Sequence, residues 1–111
     1  MTIRELADKG IFKVVCAGDD TDREISGVFC CDLLCVVMGR GKADAAWVTV
    51  MGNINSLAVL SLTDMACIVL AEGAQMDAAG IARAERQGFT IFATDQPIFE
   101  TAMQIQALLD A

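Results

Sequence analysis

The sequence predicts an α/β fold, a single compact domain over residues 1–111 with a mostly parallel central sheet held between helical layers. Three observations predict it. From residue 46 onward, strand-like and helix-like stretches alternate regularly. The strands there are near-continuous apolar runs, as expected when both faces of a parallel sheet are covered. Turn and capping residues such as Gly52-Asn53, Glu72-Gly73 and Asp77 punctuate each change of pattern.

Taken in order, Thr2 and Glu5 have the spacing of a capping box and predict a short helix over 3–9, which Gly10 ends. "IFKVVCA", 11–17, reads as a strand that joins the sheet, and Gly18-Asp19-Asp20 as a turn. Residues 21–27 are polar and irregular. "VFCC", 28–31, can extend as a strand, after which Asp32 can cap a two-turn helix through Leu33–Met38, closed by Gly39. The Val36-Val37 pair equally permits a continued strand. "GRGKADA" reads as a loop. Strands at 46–51, 66–71 and 89–93 alternate with three helices. The first starts at Asn53 or Asn55 and runs to about Thr63. The second is capped by Asp77, with Met76 and Ile81 spaced as a hydrophobic staple, and stops at Gly88. The third carries Pro97 in its first turn and the stripe Ile98, Ala102, Ile105 and Leu109.

Composition narrows the function classes. The net charge of −7, from 15 acidic and 8 basic residues, disfavours nucleic acid and anionic membranes as partners. No apolar run is long enough to span a bilayer and the first residues do not read as a signal peptide, so a cytoplasmic protein is expected. Five cysteines, an odd number, read as reduced thiols. The apolar fraction of 55% exceeds the usual ~45–50%. It predicts an extra apolar face, covered in a homodimer. Trp47 is expected at a sheet margin or interface, and Met38, Met51, Met65 and Met103 as core filler.

Parallel sheets bind ligands at the carboxyl ends of their strands. Those ends are Gly18-Asp19-Asp20, Gly52-Asn53, Glu72-Gly73 and Thr94-Asp95, expected along one edge. Two of them open helices, whose free N–H groups favour a small anionic ligand. Candidate ligand-binding residues are therefore Gly52, Asn53, Asn55, Glu72, Gly73, Thr94 and Asp95. "GRGK" lacks the spacing of a phosphate-binding P-loop, and Ala43 stands where its hydroxyl belongs. Cys30, Cys31 and Cys35 are expected to pack in the core. The alternative is a metal ion or iron–sulfur cluster on those three thiols, or redox chemistry between them, yet the chain has no histidine to complete a site. The lack of His and Tyr also removes common general acids and bases, so no enzyme activity, no catalytic residue and no cofactor is expected. Asp19, Asp20 and Asp22 read as a solvated acidic turn.

The run "GVFCCDLLCVVMGRGKADAAWVTVMGNINSLAVLSLTDMACIVLAEG" and the closing "GFTIFATDQPIFETAMQI" resemble the small stand-alone DRTGG-domain proteins over about residues 12–108. The resemblance implies an α/β/α three-layer domain similar to the N-terminal domain of HPr kinase/phosphorylase. It also implies a regulatory or ligand-sensing module, of a type often encoded beside iron-only hydrogenase subunits, so a hydrogenase-related protein is the partner it suggests. Met51-Gly52-Asn53-Ile54 stands where the naming signature has Asp-Arg, and Ala71-Glu72-Gly73 where it has Thr-Gly-Gly. The kinase chemistry of that family belongs to a P-loop domain this sequence lacks.

Overall fold

A computed structural model describes all 111 residues. The elements follow in the order α1 (Ile3–Asp8), β1 (Lys13–Cys16), β2 (Gly27–Cys30), α2 (Leu34–Arg40), β3 (Ala45–Thr49), α3 (Ile54–Thr63), β4 (Cys67–Leu70), α4 (Ala78–Gln87), β5 (Ile91–Ala93) and α5 (Ile98–Asp110). The α/β class and the alternation from residue 46 are as the sequence predicts. The five strands form one sheet in the order β1-β5-β4-β3-β2. Pairs β2–β3, β3–β4 and β4–β5 are parallel, with Ala46 opposite Cys67 and Ile68 opposite Ile91.

Strands β2 to β5 step across the sheet in one direction. Crossovers of one hand then place all their helices on one face. The cores agree. Val37 of α2, Leu57 and Leu60 of α3 and Ala84 of α4 cluster with Ala45, Trp47, Ile68, Leu70 and Ile91. On the opposite face, Ile3 and Leu6 of α1 and Ile105 of α5 cluster with Ala46, Val48, Cys67, Val69 and Phe92. Alternate residues of β3 and β4 thus feed opposite cores, which is why both strands are apolar at every position but Thr49. The stripe Ile98, Ala102, Ile105 and Leu109 faces this second core as expected.

Local chemistry explains most boundaries. Thr2 Oγ1 accepts from Glu5 N, and Glu5 Oε1 accepts from Thr2 N in return, completing the capping box. These bonds hold the exposed Glu5 carboxyl below its ordinary pKa. Asn53 and Asp77 cap α3 and α4 through Asn55 N and Gly80 N.

Several expectations are corrected. Helix α2 forms, but Leu33 is its N-cap and gives it no side-chain bond. Asp32 is turned away from it: Oδ1 accepts from Thr49 Oγ1 at 2.8 Å and Val50 N at 3.0 Å, fastening the β2–α2 link to the end of β3. The helix also runs through Gly39 and Arg40, so the loop starts at Gly41. Pro97 is the N-cap of α5, one residue ahead of the first turn. Trp47 is fully buried inside the α2–α4 face, where Nε1 donates to the Cys31 carbonyl at 2.9 Å. Met38 and Met103 are exposed, unlike the buried Met65.

The largest correction concerns β1. It pairs antiparallel with β5, Lys13 opposite Ala93 and Cys16 opposite Ile91. Gly18-Asp19-Asp20 therefore leaves the ligand edge and lies at the other end of the sheet. There Gly18 N donates to Thr90 Oγ1 and Asp19 N to the Gly88 carbonyl. The start of β1, Lys13, takes its place beside the carboxyl end of β5.

Candidate functional site

The carboxyl ends of β3, β4 and β5 come to one edge, but their candidate residues do not form one site. Gly73, Thr94 and Asp95 line a hollow of about 170 Å³, together with Lys13, Ala74, Gln75 and Ala93. Gly73 follows β4 with φ of 75°, a left-handed turn that favours glycine. Its N–H donates to the Thr94 carbonyl at 3.0 Å, and Thr94 N returns to the Leu70 carbonyl at 2.8 Å. These bonds clamp the β4 and β5 exits side by side. A Cβ on Gly73 would stand 3.4 Å from Asp95 Oδ1, so the Asp95 carboxylate lies over the glycine backbone. Thr94 Oγ1 accepts from Gln96 N at 3.2 Å and keeps its own proton for a further acceptor.

Glu72 is next to this hollow yet serves the fold. It too has a left-handed backbone, φ 60°, and its Oε2 accepts from Ile98 N at 3.0 Å. It thereby takes up one of the free N–H groups of α5, the helix start expected to attract an anion. Gly52, Asn53 and Asn55 stay apart from the hollow. Asn53 Oδ1 is spent on Asn55 N. Gly52 is a packing residue: a Cβ there would collide with the Gln75 carbonyl, while its own carbonyl accepts from Asp77 N at 2.9 Å. The helix starts that the sequence offers as anion sites thus have side-chain acceptors of their own, and the cation at this edge is Lys13.

A second hollow, of about 210 Å³, adjoins the first and shares Lys13, Ala74, Gln75 and Ala93 with it. Its other walls are Val15, Met76 and Ile81, apolar residues where β1 meets α4.

Of the cysteine cluster expected in the core, only Cys31 packs against it, on the α2–α4 side. Cys30 and Cys35 are exposed and Cys31 is half-buried, whereas Cys16 and Cys67 are buried. Nor do the thiols of Cys30, Cys31 and Cys35 gather: no three Cys, Asp or Glu side chains stand together as a metal site. Cys31 Sγ donates to the Leu33 carbonyl instead. Partial burial, then Asp32 and Cys31, push the Cys30 thiol above its ordinary pKa. This disfavours the thiolate that redox exchange requires. Cys30 instead lines an apolar groove of about 200 Å³ with Val28, Phe99, Ala102, Met103 and Gln106, where the open edge of β2 meets α5.

Arg23, which sequence reasoning passed over inside a polar segment, organises the opposite end of the sheet. Its guanidinium reaches Asp44 at 2.6 Å, Asp20 at 3.5 Å and Asp64 at 3.0 Å, and also the Asp64 carbonyl. Burial would lower its pKa, but the bonds to Asp44 and Asp64 raise it further. Asp20 is therefore paired and only part of the acidic turn is free. Lys13 was likewise missed; its position depends on strand direction, which no local motif marks.

No protein-family model matches this chain, and no curated protein matches it. The likeness to DRTGG domains rests on the residues quoted for it. No helix is long and apolar enough to cross a membrane.

Proposed function

We propose that the protein is a non-catalytic ligand-sensing module that binds a small molecule bearing an anionic group at the β4–β5–β1 corner. The observation that carries this reading is Lys13, brought by the reversed β1 to a hollow already lined by Gly73, Thr94 and Asp95. The corner offers the Lys13 ammonium, the Thr94 hydroxyl, the Gln75 carboxamide and the Asp95 carboxylate, which suit recognition. It contains no cysteine, and the chain has no histidine. The hollow is smaller than the ~300 Å³ at which drug-sized sites begin, so the ligand is a small metabolite.

A thermal-shift screen with inorganic phosphate, acetyl phosphate, ATP and simple carboxylates tests it. At least one raises Tm in a saturable way. Lys13→Gln abolishes that rise and Asn53→Ala leaves it intact. A shift that survives Lys13→Gln places the ligand elsewhere and refutes the reading.

The apolar groove beside β2 favours a homodimer as the state in which the module works. Phe99 and Met103 are 67% and 57% exposed there, and the outer edge of β2 has no partner strand. A hydrogenase-related protein, the partner implied by the resemblance, would then respond to ligand occupancy through that dimer.

A further inference from the structure

Lys13 and Asp95 line the same hollow with opposite charges, yet neither takes part in an ion pair. A bare anion drawn to Lys13 would also face the Asp95 carboxylate. A bare cation would face the reverse conflict. A ligand carrying both charges resolves it. Gln75 and Asp95 are lining residues, and the backbone N–H group of each has no partner within the chain, which makes two further donors. With Lys13 and the Thr94 hydroxyl they suit a carboxylate, leaving Asp95 for an ammonium. The adjoining hollow then matters. It begins at the same Lys13, Ala74, Gln75 and Ala93 and continues onto Val15, Met76 and Ile81, with no charged side chain beyond Lys13. A short apolar group attached to the zwitterionic head would lie there.

We propose that this corner binds an α-amino acid with an aliphatic side chain. The proposal rests on the ligand-binding reading above and specifies its ligand class. Its head sits between Lys13 and Asp95, and its side chain lies on Val15, Met76 and Ile81.

Calorimetry and amide-shift mapping on the full chain test it, with L-leucine as probe. The comparison ligands are glycine, 4-methylpentanoate, 3-methylbutylamine and inorganic phosphate. L-leucine binds saturably and shifts the amides of Gln75 and Asp95. Each ligand lacking one charge or the side chain binds weaker by about tenfold or more, the size of one charge-assisted contact. Asp95→Asn lowers leucine affinity by about tenfold and spares 4-methylpentanoate, while Lys13→Gln weakens both. Leucine binding no tighter than 4-methylpentanoate or glycine overturns the proposal. Phosphate binding that depends on Lys13, with leucine silent, overturns it and leaves the anion-binding reading standing. Silence from all five probes overturns the proposal, and a failed anion screen beside it removes the anion-binding reading too.

Discussion

Burial acts on Cys67 more than on any other titratable side chain of the molecule. It lies fully enclosed in the α1–α5 core, and desolvation, followed by the nearby Asp20 charge, pushes its thiol from 9.0 up to about 12. A pKa raised in the folded state means the thiol keeps its proton there longer than in the unfolded chain. Its contribution to stability is complete below pH 9.0 and fades as pH rises toward about 12. Alkaline denaturation followed by circular dichroism should show stability falling through that window. In Cys67→Ala, less stable at neutral pH by ~1–2 kcal/mol, the fall should be shallower. A pH profile identical to the parent's would show that the thiol carries no such linkage. Residues of this kind also mark what sequence reveals. Thr2, Asn53 and Asp77 were legible as caps because each serves an N–H two or three positions away. Glu72 and Asp32 were not, nor were the bonds of Arg23 to Asp44 and Asp64, since these partners lie 17 to 41 positions away. Cys30 and Cys35 were misplaced because residue type suggested burial, whereas Cys30 ends the open edge strand β2 and Cys35 lies on an exposed side of α2.

At the scale of elements, helix and strand existence was readable and strand direction was not. Apolar runs fixed β3, β4 and β5, and the caps fixed the helices between them. The reversal of β1 had one physical signal. Only residues 17–26 separate β1 from β2, and they contain no helix, whereas a parallel crossover usually needs about a dozen residues or more. Because β1 reversed, Lys13 exchanged places with the acidic turn, and the candidate site changed its charge. The joint between β2 and α2 shows a different dependence. Asp32 holds that joint to β3 through the buried Thr49 hydroxyl and Val50 N. Asp32→Ala should cost about 1–3 kcal/mol in urea unfolding, because the Thr49 hydroxyl loses its acceptor in a closed position. Asp32→Asn, which retains an acceptor oxygen, should cost less. Equal losses for the two variants would assign the effect to charge and not to the hydrogen bond.

At the scale of the whole molecule, the four parallel strands advance in one direction, so the sheet has no reversal of order and no central crevice. The hollows lie at its margins: the polar corner at β1 and the apolar groove at β2. The groove carries no charged side chain, while each chain has a net charge of −7. Two copies joined through it should therefore associate more tightly as salt screens their repulsion. Light scattering should give the mass of two chains, rising toward completeness with ionic strength, and Phe99→Glu with Met103→Glu should return one chain. A single-chain mass for the parent at every concentration and ionic strength would leave the groove without this partner. The two margins differ in firmness. Strand β1 is one of the two edge strands, its register against β5 shifts between Val14 and Cys16, and β5 is the one strand it pairs with. A guest wedged between residue 13 and residues 94–95 would pin that irregular rib to its neighbour. Occupancy would then be felt as slower fraying of one flank, with the middle of the ribbon unmoved.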